Sequence, residues 1–376
     1  MKKIVYILPV FMLLYFFSCS SDESSMGGSG SGDNFNRVNL TSSWVNNLLL
    51  PATKDFKSKV STLNTSIATF SNTPDANTLT KVRTDLFEAY KVWQHVEMFY
   101  HGSSFSLDMN TYPADKKNIT DNINSTTTID LDRTVLNSAQ GLPALDYLIN
   151  GLDDSDSKII EKYKEAKYKD YLKLLSERMV NLTTTALNDF ESNKEINIAK
   201  VDNTISSYFS IQLNDFVEYT EKSFREAKIA RPSGTRNRNP KFTVLPSPDF
   251  VESLYSPKNS KTLYLEAYDA IQDFYYGRSY ANNSNTTGIQ EYLQALGTTI
   301  LVNGKDIPLN DYIETLFTNI DAANANINDD FYQQTQTYNP NFDAAFDAIQ
   351  EYVIAVKSNV INAFNLTIDF VDSDGD

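Results

Sequence analysis

Histidine and cysteine are nearly absent from this chain of 376 residues, which has only His95, His101 and Cys19. A lone thiol cannot form an intramolecular disulfide, so stability must come from a packed core. The two histidines do not form the His-Glu-x-x-His pattern that a zinc peptidase places on one helix face. A Ser–His–Asp or Cys–His centre would have to draw on the same pair. Positive charge is scarce too: 33 Lys and Arg stand against 48 Asp and Glu, for a net charge of −15. No dense basic run relieves that balance. Phosphate neutralisation supplies most nucleic-acid affinity, so nucleic acid is excluded as a partner.

What is present begins with a targeting segment. Lys2 and Lys3 precede an apolar run from Ile4 to Phe17, then Ser18 and Cys19. The run is too short for a membrane-spanning helix, which needs about 20 residues, and reads as a secretion signal over residues 1–18. A cysteine placed there resembles a bacterial lipoprotein signal, with Cys19 carrying lipid and tying the chain to the outer membrane. Phe16 and Phe17 depart from the residues that motif favours, and an ordinary signal peptide is the alternative. Removing residues 1–18 takes away two lysines and moves the charge from −15 to −17. Residues 19–34 are rich in Ser and Gly and read as a flexible tether reaching roughly 20 Å. Asp22 and Glu23 resemble the surface-export signal of Bacteroidetes lipoproteins, which leaves periplasmic face and cell surface both open.

The remaining chain predicts an all-α fold. Leu79, Val82, Leu86, Ala89, Trp93, Val96 and Tyr100 recur three or four apart, the seam of a helix bundle. Thr73 is expected to cap this helix, with Pro74 in its first position. Phe342 to Ala363 repeats the pattern. Between them, helices are expected near 42–50, 53–70, 132–150, 158–190, 197–228, 261–278, 287–302 and 309–325, with no competing strand. The longest non-helical stretch, residues 229–260, contains five prolines and reads as functional or as a domain connection. Two four-helix-bundle-like domains follow, one over 35–230 and one over 231–376 with the loop. "LFEAYKVW" ahead of "FYHG" is echoed by "YLEAYDAI" ahead of "FYYG", which suggests duplication.

Four segments, "WQHVEMFYHG", "QGLPALDYLIN", "KIARPSG" with "VESLYSPKNS", and "VINAFNLTIDFVDSDGD", together resemble the imelysin-like proteins. The resemblance implies a helical protein of two bundles, secreted or lipid-anchored, associated with bacterial iron acquisition and in some members classed as a metallopeptidase. Its metal motif is Gly-x-His-x-x-Glu. Here the matching residues run from Gly141 to Asp146, with Pro143 in place of the histidine and Asp146 in place of the glutamate. Proline ligates nothing, so the metal function does not carry over intact.

The Gly–Pro break has a structural reading of its own. Proline inside a helix removes a donor and clashes with the carbonyl four residues back, at about 3 kcal/mol or more. One helix is therefore expected to end near Ala139 and another to restart with Pro143 in its first turn, placing Asp146 near the positive helix end. The functional reading builds a ligand or metal site, with iron the ion implied, from Gly141, Asp146 and Tyr147 at the break. Glu97 and His101, four apart on one helix face, join it, together with the arginine loop of Arg231, Arg236 and Arg238. Otherwise Glu97 pairs with a basic residue of a neighbouring helix, and His95 is solvated or a rim contact. The expected function is a ligand binder serving iron uptake, with iron-uptake components as partners. A metal-dependent peptidase and a non-enzymatic surface scaffold are the rivals.

Overall fold

In a computed structural model of the chain, residues 34–235 and 245–370 are described. The signal segment, Cys19, nearly all of the tether, Arg236, Arg238 and the last six residues lie outside them. The expected all-α fold is present. α1 (Arg37–Ser43) runs without a break through a widened, π-type turn at Trp44–Leu49 into α2 (Leu50–Asn72). The two helices read near 42–50 and 53–70 are thus one rod. Pro51, which has no N–H to give, stands where the wide turn hands over to α2.

α3 (Ala76–Val96) begins two residues later than the sequence suggested. Asp75 caps it: its carboxylate accepts from Thr78 N at 2.8 Å while the Thr78 hydroxyl takes up the Asp75 N–H at 3.1 Å. This reciprocal box outcompetes Thr73, which instead closes the end of α2. α4 (Ser104–Asn110) and α5 (Lys116–Ile123) are short helices that the apolar period did not reveal. The stretch read as one helix over 132–150 is three pieces: a 3-10 segment Thr134–Ala139, α6 (Gly141–Asp146) and a π-type turn Tyr147–Gly151. α7 (Asp156–Lys162) and α8 (Ala166–Ala199) follow. Phe56, Ile67, Val82, Trp93, Leu145 and Leu175 lie in the core that these elements share.

A second core gathers the rest. α9 (Tyr208–Glu218) continues through a widened stretch, Tyr219–Ala230, into α10 (Arg231–Ser233). α11 (Ser260–Tyr276) and α12 (Ile289–Leu296) precede a hairpin of β1 (Thr299–Val302) and β2 (Lys305–Pro308). α13 (Leu309–Asn324), α14 (Phe331–Gln334), α15 (Pro340–Ile354) and α16 (Ile361–Ala363) complete it. Trp44, Leu48 and Leu49 pack here, and so do Phe209, Phe216 and Phe224. Val201, Phe209 and Ile229, ahead of the boundary read at residue 230, pack in this core too. The hairpin corrects the helix read over 287–302. Asn303 and Gly304 hold φ of 51° and 78°, the paired positive angles of a tight hairpin turn, and the Asn-Gly dipeptide was its signal. α3 and α11, which carry the echoed segments, pack against each other between the cores. No helix among the described residues is long and apolar enough to cross a membrane.

Arg37 fastens the start of the rod to the second core. It is 3% exposed, donates to the Tyr292 hydroxyl at 2.7 Å and the Phe364 carbonyl at 2.9 Å, and bonds Asn203. Its guanidinium lies 4.7 Å from the Phe209 ring centre. Arg37→Ala would leave those acceptors buried and unpaired, and is expected to cost about 3 kcal/mol or more in urea unfolding. Lysine, which lacks the planar fork, should not restore the loss.

Candidate functional site

Four elements converge on one buried polar cluster. Gln94 and Glu97 come from the end of α3, Asn110 from the end of α4, Lys228 from the widened stretch after α9, and Glu252 from the segment ahead of α11. Lys228 Nζ donates to Glu252 Oε2 at 2.5 Å and to Gln94 Oε1 at 2.7 Å. Glu252 Oε1 accepts from Asn110 Nδ2 at 2.8 Å and from Gln94 Nε2 at 3.1 Å. The Lys228 and Glu252 side chains are 2% and 5% exposed. Ionised groups this deep need a partner and further hydrogen bonds to offset desolvation, and here both charges have them. The pair and its two amides tie the first core to the second.

Glu97 is different. α3 tightens into a 3-10 turn at Glu97–Tyr100, and the carboxyl is buried with no hydrogen-bond partner for Oε2. Burial pushes it up to about 7; the Lys228 ammonium opposes the shift and the Glu252 carboxylate adds to it. Trp93 and Asn110 face it and steady the ionised form. The Tyr90 and Tyr219 hydroxyls and Asn110 Oδ1 are also buried without partners, and Trp93 Nε1, which faces the carboxyl, makes no hydrogen bond of normal length. Burial raises the Tyr90, Tyr112 and Tyr219 phenols, and the charges of Glu97 and Glu252 raise them further. A buried polar atom left unpaired costs about 1–3 kcal/mol. Several of them around one carboxyl leave both donors and acceptors open to a further hydrogen-bonding group. Glu97, poised near neutrality, can meet it in either protonation state.

The other expected site residues are distributed around this cluster. α6 restarts after Ala139 with Pro143 at its third position, where a missing N–H is tolerated, as the sequence implied. Gly141 adopts φ +71°, and a Cβ there would meet Met109 O at 2.3 Å. Asp146 is not held by the helix end, as had been expected. Its carboxylate, 1% exposed, accepts from Tyr255 N at 2.9 Å, Ser256 Oγ at 2.7 Å and Asn150 Nδ2 at 2.9 Å. Burial raises it to about 6 against those hydrogen bonds. Tyr147 packs on Tyr255 with ring centres 5.1 Å apart, outside the cluster.

His101 does not share a helix face with Glu97, because α3 ends at Val96 and the backbone extends at 101. Its ring lies 3.7 Å from Glu218 and 3.4 Å from the Ser223 hydroxyl. Arg231 is exposed, covers the Phe250 ring at 5.2 Å and acts on Tyr112 through its charge; Arg236 and Arg238 lie outside the described residues. His95 is no rim contact. It is 14% exposed, bonds Glu266 at 3.0 Å and lines a cleft of about 670 Å³ between α3 and α11 with Asp55, Asp269 and Tyr280.

Lys228, Glu252, Gln94 and Asn110 were missed. Three of them had a signal: Gln94 lies in "WQHVEMFYHG", Lys228 opens "KIARPSG" and Glu252 lies in "VESLYSPKNS", all within the segments that carry the resemblance, and Lys228 sits between apolar Phe224 and Ile229. Asn110, in a helix of seven residues, had none.

A family model, imelysin of the peptidase M75 class, matches residues 49–356. Among solved structures, an iron-regulated protein A precursor from Parabacteroides distasonis ATCC 8503 is similar at 17% identity and a TM-score of 0.69, over 89% of this chain and 97% of that one. That likeness is one of fold. No curated protein matches.

Because folding raises the Glu97 pKa from 4.5 to about 7, the native state holds this proton more tightly than the unfolded chain. Its contribution to stability is fully present below about pH 4.5 and is lost as pH rises through 7. Glu97→Gln cannot ionise and escapes that loss. In urea titrations the variant is expected to match the parent near pH 4.5 and exceed it at pH 8 by an amount on the order of 1–3 kcal/mol. A constant difference across that range would contradict the buried, poised carboxyl.

Proposed function

This chain belongs to the imelysin family, and we propose that it serves bacterial iron acquisition as a binding protein. Lipid on Cys19 anchors it to the outer membrane, iron-uptake components are its partners, and the Glu97–Glu252–Lys228 cluster between the two helical halves receives an iron-bearing ligand. The observation that carries the reading is the set of buried, unpartnered polar atoms around Glu97, drawn from both halves. Carboxylate and phenol oxygens suit hard ferric iron. Yet among the described residues no three His, Cys, Asp or Glu side chains are grouped to hold an ion, and Glu252 is already committed to Lys228. A ligand that brings its own donors to the metal fits this cluster better than a bare ion does. The name of the similar Parabacteroides protein supports the iron half of the reading.

The test is calorimetry with ferric citrate and, separately, with ferrous iron, alongside a peptide-cleavage assay with and without a chelator. Saturable binding of ferric citrate without peptide turnover is expected, weakened at least ~10-fold, or about 1.4 kcal/mol, by Glu97→Gln and by Glu252→Gln. Absence of ferric citrate binding, or chelator-sensitive cleavage, would overturn the proposal.

A further inference from the structure

Asn110 and Glu252 bond each other in the cluster, yet neither is fixed by its own element. Asn110 is the last residue of a helix seven residues long. Glu252 precedes Ser253, which holds a left-handed φ of 58°, a conformation that side chains other than glycine resist and that a free loop would not keep. Besides the bonds within the cluster and the Ser260 hydroxyl on the Glu252 carbonyl, both draw support from the segment from Gln140 to Gly151.

At its start, α6 lies directly against the end of α4. A Cβ on Gly141 would fall 2.3 Å from Met109 O and 2.4 Å from Asp108 O, so only glycine permits this approach, and it leaves Asn110 one residue beyond the contact. Gln140 reinforces it: its Nε2 donates to Asp108 Oδ1 at 3.1 Å and to the Leu131 carbonyl at 2.9 Å. Arg178 closes the clasp, donating to Gln140 Oε1 at 2.5 Å and Asp108 Oδ2 at 3.0 Å. Five residues past Gly141, Asp146 takes the Tyr255 N–H and the Ser256 hydroxyl, which pins the loop just after Glu252. Gly151 leaves the room that the Tyr255 ring fills, since a Cβ there would lie 2.2 Å from it.

We infer that the Gln140–Gly151 segment is a bracket that aligns the two sides of the site, with Gly141 seating Asn110 and Asp146 seating Glu252, and that Asp146 is a positioning residue and not a ligand. The inference rests on the reading of the Glu97 cluster as the site, but it concerns this chain's own groups and needs no ligand to be tested.

Trp93 faces Glu97 and steadies its ionised form, so its indole N–H reports on that group, and Trp44 is the only other tryptophan. An indole ¹⁵N–¹H spectrum therefore holds two signals, assigned with Trp44→Phe, and the Trp93 signal is followed from pH 5 to 9. In the parent chain it titrates near 7 with Glu97, and Glu97→Gln abolishes the titration. Asp146→Asn frees Glu252 from its place, and the Lys228 ammonium then acts on Glu97 with less compensation, so the midpoint falls by at least ~0.5 pH unit. Ser256→Ala, which removes one latch contact and no charge, moves it the same way by less. Gly141→Ala withdraws Asn110, which steadies ionised Glu97, and the midpoint rises. Should that variant not fold, Gln140→Ala loosens the same clasp without adding an atom and carries the same expectation. Opposite displacements cannot come from general loosening of the fold. A Trp93 midpoint unchanged from the parent in the folded variants would overturn the inference, whatever the outcome with ferric citrate.

Discussion

The buried ion pair of Lys228 and Glu252 is the constraint around which this molecule is arranged. Two ionised side chains can lie that deep only if they pair and find further hydrogen bonds of their own, and Gln94 and Asn110 supply these. Those four residues come from different parts of the chain and from both cores. Hydrophobic burial builds each core, but it is indifferent to how two cores sit against each other. A bonded charge pair is not, since a small shift leaves a charge unpaired. The pair therefore sets the alignment of the halves, and Glu97 acquires its shifted carboxyl from being placed beside it.

Much of the fold was legible because helix periodicity and burial are local statements. The seam from Leu79 to Val96 is fully buried as its spacing implied, and the break at Gly141–Pro143 divides the helices where proline chemistry said it must. What failed did so for identifiable reasons. Thr73 lost the cap to Asp75 because a carboxylate and a hydroxyl three residues apart can satisfy each other. Residues 299–302 were read as the end of a helix on their apolar period, although the Asn-Gly dipeptide that follows marks a hairpin.

The site was legible in half. Glu97 was found from its position at the edge of an apolar stripe, and its burial follows. His101 was grouped with it by assuming that α3 continued, and a 3-10 turn removes that assumption. Lys228 and Glu252 find each other across 24 residues of sequence that include the proline-rich loop, a distance over which spacing carries no geometric information. The altered metal motif drew attention to Asp146 as a candidate ligand; its carboxylate accepts from a backbone amide, a hydroxyl and a side-chain amide.

The continuous rod from Arg37 to Asn72 has a mechanical meaning. Its first third is embedded in the second core and its remainder in the first, so the two halves share a shaft and not merely a seam. Splaying them apart like jaws would have to bend that shaft within the Trp44–Leu49 turn, against the stacked rings of Trp44 and Phe274. A jaw-like opening around the interior cluster is therefore resisted by the shaft that both halves share.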